Sequence, residues 1–292
     1  MTPVTPYNDT PLSIVIIGKG KVGQSLTQLF SILPSSETNI KKVVNVGRSK
    51  SAQISEVSQA NIVFLCVDDS SIEQLCKELV PSLPVACIVS HCSGALDSSI
   101  LSAAHHKGCH TASAHPLNSF PNLDDSLSLF SSREHGSYLY AEGDEMALGI
   151  LLPLFTSAGF VSVPIEREAK PLYHAACVFA CNYLVSLMAM SLESATAAGL
   201  DRKQFWASLQ PLIRTTLDNI GNKGINDSLS GPIARGDSHT VDYHIQSLNE
   251  KSPSLTDSYI NLGLHALDIA ASKNELTEEQ LDSLRAILNK EK

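Results

Sequence analysis

The stretch LSIVIIGKGKVGQSLTQLF, Leu12 to Phe30, constrains the fold of this chain more than any other. An apolar run ending at Ile17 is followed by Gly18, Gly20 and Gly23, with Val22, Leu26, Leu29 and Phe30 recurring at helical spacing. The text reads strand, tight turn, helix, which is the context a dinucleotide-binding fingerprint needs. Gly18 allows the tight turn, Gly20 lets backbone approach a pyrophosphate with no Cβ in the way, and Gly23 lets the helix lie close on the strand. The N-terminal dipole of the helix faces the phosphates, and Lys21 and Val22, between the second and third glycines, are counted with Gly18, Gly20 and Gly23 as cofactor-binding.

The same alternation continues. KKVVNVGRS, ANIVFLCVDD, VACIVSHCSG and CHTASAHPL read as strands, with helix-sized segments such as SSIEQLCKELV and LDSSILSAAHH between them. GSYLYAEG and FVSVPIE flank the helical DEMALGILLPLFTSAG and extend the sheet to about residue 165. Near-continuous apolar strands alternating with helices imply an α/β fold, a doubly wound, mostly parallel sheet covered on both faces.

From Arg167 the strand patterns vanish. AKPLYHAACVFACNYLVSLMAMSLESATAAGL reads as one long apolar helix, and DRKQFWASLQPLIRTTLDNI and SPSLTDSYINLGLHALDIAAS as further helices. LTEEQLDSLRAILNK opens with a capping box, Thr277 at the cap and Gln280 three residues on. LSGPIARGDSHTVDYHI reads as a Gly/Pro-rich insertion between helices. The chain thus divides into a dinucleotide-binding α/β domain, residues 1–165, and an all-helical substrate and dimerisation domain, residues 166–292. A helix apolar on most faces must be buried, in its own domain or against a second subunit, so a homodimer is expected.

Composition narrows the partners. At 292 residues and 43% hydrophobic content the chain can bury a substantial core. Its formal charge of −9 comes without any Lys/Arg block, which argues against nucleic acid. The amino-terminal MTPVTPYNDTP lacks a basic region followed by an apolar core and reads as a frayed tail, and no stretch is expected to reach membrane-spanning length, so a soluble, cytoplasmic protein is expected. Seven irregularly spaced cysteines fit reduced thiols better than a disulfide framework. The cluster His105, His106, Cys109 and His110 has the side chains of a zinc site. It spans a helix end and a strand start, however, which point them apart, and no metal is expected.

In an open parallel sheet, ligands sit beyond the carboxyl ends of the strands. The end of the second strand carries no carboxylate to hold a ribose hydroxyl, whereas Arg48, Ser49 and Lys50 there suit a 2′-phosphate, so NADP is the expected cofactor. Val67 and Asp68 follow the third strand and pass close to the cofactor, with Asp69 or Ser70 available to cap the next helix. Ser90, His91, Ser93 and Gly94 follow the fourth, where a nicotinamide and its substrate would lie. His115, at the fifth, precedes nothing more flexible than Pro116, which fixes an extended conformation that could aim the imidazole into the cleft.

On the long helix, Lys170 or His174 could give the proton that carbonyl reduction needs, while Asn182 could orient the oxygen. At about 100° per residue, His174, Cys181 and Asn182 share a face. Arg235 could clamp a carboxylate bidentately, with Gly236, Asp237, His239 and Thr240 shaping the pocket.

The glycine fingerprint, SHCSGAL, AHPLNSF, KPLYHAACVFACNYLVSL and SGPIARGDSHTVDYHI, in that order, resemble a family of Rossmann-like oxidoreductases whose helical C-terminal domain is one of unknown function. That family sits among the 6-phosphogluconate-dehydrogenase-like enzymes, with pyrroline-5-carboxylate reductase, prephenate dehydrogenase, β-hydroxyacid dehydrogenases and ketopantoate reductase. The resemblance implies a nicotinamide site and a helical domain that often dimerises. Two of those relatives carry a lysine four residues before the helix asparagine, but here that position is Val178, and Lys170 stands twelve before Asn182. The lysine role therefore does not transfer by motif. The expected activity is hydride transfer between NADPH and a small carboxylate-bearing carbonyl or imine, a ketopantoate-like 2-keto acid being the first candidate. The alternative is a non-catalytic NADPH sensor acting through its helical dimer.

Overall fold

The computed structural model describes residues 11–47, 49–118 and 137–289. The amino-terminal tail and Arg48 lie outside them. The strands are β1 (Leu12–Ile17), β2 (Ile40–Val46), β3 (Ile62–Leu65), β4 (Ile88–His91), β5 (His110–Leu117), β6 (Ser137–Gly143) and β7 (Phe160–Pro164). They form one seven-stranded sheet in the order β2-β1-β3-β4-β5-β6-β7. All neighbouring pairs are parallel except β5 with β6.

Alternation explains why the strands read as unbroken apolar runs. In β1, Ile14 and Ile16 face one core and Val15 and Ile17 the other; in β3, Ile62 and Phe64 oppose Val63 and Leu65. The first core is closed by α1 (Lys21–Ile32), through Leu26, Leu29 and Phe30, and by the helix Glu145–Ser157, through Leu151, Leu154 and Phe155. The second is closed by α2 (Lys50–Val57) and α3 (Asp69–Leu79), through Val57, Ile72, Cys76 and Leu79. A sheet buried on both faces needs apolar residues at every position, so the period-2 signal disappears from its sequence. The helix Glu145–Ser157 is α4.

The chain separates into two compact units, residues 1–178 and 179–292, where the sequence reading drew its line at 165. The long helix runs Arg167–Ala197. It comprises a 3-10 turn, α5 (Lys170–Cys177), a π-helical turn (Val178–Asn182) and α6 (Tyr183–Ala197). By length and composition it could cross a membrane, which corrects the expectation that no stretch is long enough.

The second unit continues with α7 (Arg202–Ser228), α8 (Ser238–Lys251), α9 (Thr256–Ser272) and α10 (Glu278–Leu288). Its core is built from the later part, Val241 and Ile245 meeting Ile260, Leu267, Leu281 and Leu284. The segment read as an insertion is a loop only as far as Asp237, which caps α8 by accepting from the Thr240 N–H. The capping box is found as read: Thr277 and Gln280 close it reciprocally at the start of α10.

Candidate functional site

The three glycines behave as their spacing requires. Gly18 has φ +122°, a region L side chains rarely adopt, and a Cβ there would collide with the Cys66 carbonyl oxygen. A Cβ on Gly23 would collide with the Gly18 carbonyl. Gly20 is different in kind, since a Cβ there would meet nothing within 4 Å. It is the N-cap of α1, makes no side-chain capping bond, and no acidic residue occupies the first turn. The helix thus presents unneutralised N–H groups to open space, which is the arrangement that receives a phosphate.

One residue that pattern reading passed over holds this turn in shape. Asn45, near the end of β2, directs Nδ2 at the carbonyl oxygens of Gly18 and Gly23 at 3.2 and 3.0 Å and at Thr27 Oγ1 at 2.9 Å. Its only sequence signal is a polar side chain in an apolar strand, VVNV. Such a residue is expected to find partners when buried.

From this turn a pocket of about 990 Å³ extends along the strand ends. Gly18, Gly20, Lys21, Val22, Val67, Asp68, Ser93, Gly94 and His174, all singled out in the sequence, line it together with Lys50, Glu78 and Cys66. Gly23 and Ser49 are not in the lining, and Arg48 lies outside the described residues. Lys50 is not a free cation: it pairs with Glu78 at 2.9 Å, and the bond donated by Gln74, followed by that pair, holds the Glu78 carboxyl below its ordinary range. Asp68 rather than Asp69 stands at the N-cap of α3, without a side-chain capping bond, and Asp69 accepts the Ser93 hydroxyl at 2.8 Å instead.

The far end of the pocket is the turn after β4. Ser93 Oγ also accepts from the N–H groups of Ala95 and Leu96, so its hydroxyl is committed to the turn itself. His91 is wholly buried; Nδ1 accepts the Ser93 N–H at 3.2 Å, and Nε2 lies 3.1 Å from the Asp97 carbonyl. Burial drops its pKa to about 4, so the ring is neutral and its Nε2–H donates to Asp97. Lys170 is equally buried, and Nζ donates to the Ser93 carbonyl at 2.8 Å and to Ser113 Oγ. Desolvation pushes its pKa down. Lys170 therefore lies behind the turn as its support and is absent from the pocket lining.

Gly94 is the point of closest approach. A Cβ on it would strike Nδ1 of His174 and lie 3.1 Å from Cε1 of His115. The rings of His115 and His174 are 6.1 Å apart and nearly perpendicular. His174 Nδ1 is buried without a hydrogen-bond partner among the described residues, a state that an unfilled ligand site explains. His115 Nδ1 is 2.7 Å from the hydroxyl of Tyr173, a residue the sequence reading did not single out.

Asn182, Arg235 and Thr240 belong to the second unit. Asn182 is exposed and closes the π-helical turn, so counting 100° per residue from His174 does not hold: the wider turn resets the helical phase. Arg235 ends a 3-10 turn and is exposed, and Thr240 bonds Asp237 through both N–H and hydroxyl. Among the described residues no group of three His, Cys, Asp or Glu stands close enough to hold a metal.

A doubly wound sheet with a glycine turn at its switch point, followed by a helical region, defines a Rossmann-type fold. Comparison with known proteins agrees at the level of fold. Residues 137–266 match a domain of unknown function, DUF2520. Protein TM1727 from Thermotoga maritima is similar over 90% of this chain and 100% of its own, with TM-score 0.66 and 25% identity. A Bacteroides fragilis protein provisionally described as an NADP oxidoreductase is similar over 88% and 98%, with TM-score 0.65 and 17% identity. Plasmodium falciparum pyrroline carboxylate reductase, solved with NADP bound, follows at 96% and 96%, TM-score 0.52 and 11% identity. Among curated proteins none matches. The fold expected from the motifs, a Rossmann-like sheet followed by a helical region, is the one found, and part of the chain matches a domain of unknown function.

Proposed function

We propose that the protein is an NADP-dependent oxidoreductase that transfers hydride between NADPH and a small carbonyl or imine. The observation that carries this reading is the pocket running unbroken from the open helix N-terminus at Gly20 to the His174 imidazole at Gly94. It joins a pyrophosphate site to a cluster of polar groups of the kind reduction uses.

In this reading the Gly18–Gly23 turn holds the pyrophosphate, and Val67 and Asp68 border the cofactor between there and Gly94. Lys50 leaves Glu78 for the 2′-phosphate. The bound cofactor supplies the hydride. His174, whose Nδ1 lacks a partner, meets the substrate's reacting group, and Lys170 keeps the Ser93–Gly94 turn in place beneath it. The apolar side chains left exposed on the long helix and on α7, among them Leu172 (79%), Phe179, Val185 and Leu212, are covered by a second copy of the chain.

The test is NADPH oxidation followed against a panel of keto acids and imines, with nicotinamide fluorescence titrations of NADPH and NADH alongside. NADPH binds more tightly than NADH, at least one carbonyl or imine is reduced, and His174→Ala lowers turnover about 100-fold or more with NADPH affinity intact. Tight NADPH binding with no reduction of any compound would favour a sensor, and equal or tighter NADH binding would reject the cofactor assignment.

A further inference from the structure

Tyr173 and His115 come from different elements, α5 and β5, and are joined at 2.7 Å through Oη and Nδ1. The tyrosine is itself fixed, its ring lying on Tyr140 with centroids 4.6 Å apart, and Tyr140 is the β6 residue opposite His115 in the antiparallel pair. Tyr173 thus contacts both of the other rings, His115 at 5.7 Å between centroids and Tyr140 at 4.6 Å. We propose that Tyr173 is a positioning residue that locks His115 as the neutral imidazole protonated on Nε2; His115 is not itself in the pocket lining but stands against Gly94 and His174, which are, and from there its N–H serves as a hydrogen-bond donor to the substrate's carbonyl oxygen or imine nitrogen.

The assignment follows from what each atom can do. A neutral imidazole has one N–H and one lone pair, and whichever nitrogen accepts a hydrogen bond leaves the proton on the other. Tyr173 keeps its proton, since burial, then the neighbouring Cys177 and Tyr140, push its pKa well above the ordinary range. Its alternative acceptor is the Cys177 sulfur, a weak one beside an imidazole nitrogen. The hydroxyl therefore donates to Nδ1, and the ring proton resides on Nε2. The charges around the ring agree: burial first, then the Lys170 ammonium, His174 and His91, lower the His115 pKa to about 4, and only Asp69 opposes them. A group neutral at working pH polarises a substrate by donating a hydrogen bond and does not surrender a full proton.

This inference rests on the reductase reading for the words "substrate" and "donor", but its first readout needs neither. Imidazole 15N–1H correlation spectra of the uniformly labelled protein report the tautomer of His115 directly. The expected pattern is the Nε2–H tautomer, retained as pH falls to about 5, with the preference weakened about tenfold and the titration moved upward in Tyr173→Phe. Tyr173→Phe also lowers kcat for the substrate found by screening while NADPH affinity stays as in the wild type. An Nδ1–H tautomer in the wild type, or a tautomer unchanged by Tyr173→Phe, would overturn the proposal; should the variant fail to fold, the wild-type spectrum alone decides. Failure of every carbonyl to react would count against the reductase reading and leave the tautomer assignment standing.

Discussion

His91 shows how a single side chain ties stability to pH. Its pKa is about 4 in the fold against an ordinary 6.5, because a buried ring with both nitrogens engaged has no room for a second proton. Between those values the unfolded chain binds the proton and the native chain does not, so stability is full above the unfolded pKa and is lost as pH falls toward 4. The shift corresponds to roughly 3 kcal/mol at most. Urea unfolding at about pH 7.5 and about pH 4.5 should show a loss of that order, and His91→Gln, which can accept and donate at the same places, should flatten it. His115, displaced in the same direction, adds to the slope, so the variant retains part of it. A wild-type stability independent of pH over this range would contradict the buried, neutral description.

At the scale of elements, the turn between β1 and α1 is kept by a residue from a third element. Asn45 on β2 binds the carbonyls of Gly18 and Gly23 and the hydroxyl of Thr27, and so joins strand, turn and helix. Asn45→Ala removes the shared donor and leaves those acceptors unmatched, a cost of about 1–3 kcal/mol. The turn then loosens, and NADPH affinity should fall while the α10 capping box in the second unit is unaffected. Differential scanning calorimetry and cofactor titration of the variant check both halves; unchanged affinity would show that the turn needs no support from β2.

The elements themselves were legible in the sequence because their physical requirements are local. All seven strands, the glycine turn and the Thr277 capping box follow from apolar runs, φ constraints and hydrogen-bond reach. What the sequence concealed depends on three-dimensional neighbours. Asn45 and Tyr173 find their partners 22 and 58 residues away, at Gly23 and at His115. Lys170 looks like a solvated lysine at a helix start until Ser93 and Ser113 are brought to it. The helical phase after Val178 was misjudged because nothing local announces a π turn.

The whole molecule poses one further question, the fate of its exposed apolar surface. In the single chain α7 buries none of its residues and α6 only Ala195, while Leu172, Phe179, Val185, Leu212 and Ile225 stand open. Exposed apolar side chains in such number suit association. The helix is long and apolar enough for a membrane, yet it carries Glu193, whose carboxylate bonds Ser254. Sedimentation equilibrium of detergent-free protein should return twice the 31.3 kDa chain mass, and Val185→Glu should shift it toward the monomer. A wild-type monomer that stays soluble without detergent would refute the dimer.

The central claim, that the opening at Gly20 receives the pyrophosphate of a nicotinamide dinucleotide, is tested most directly by Gly20→Asp. Gly20 has φ −70° and ψ 175°, which any residue adopts, and a Cβ there meets nothing within 4 Å. An aspartate at an N-cap accepts from the helix N–H groups and favours the dipole, so α1 should be stabilised by up to about 1 kcal/mol. The same carboxylate occupies and repels the phosphate site. NADPH fluorescence titration should therefore show saturable binding to the wild type and at least a 100-fold weaker affinity for Gly20→Asp, with the unfolding temperature of the free protein unchanged or raised. Equal affinity in a folded variant, or no binding by the wild type, would contradict the account.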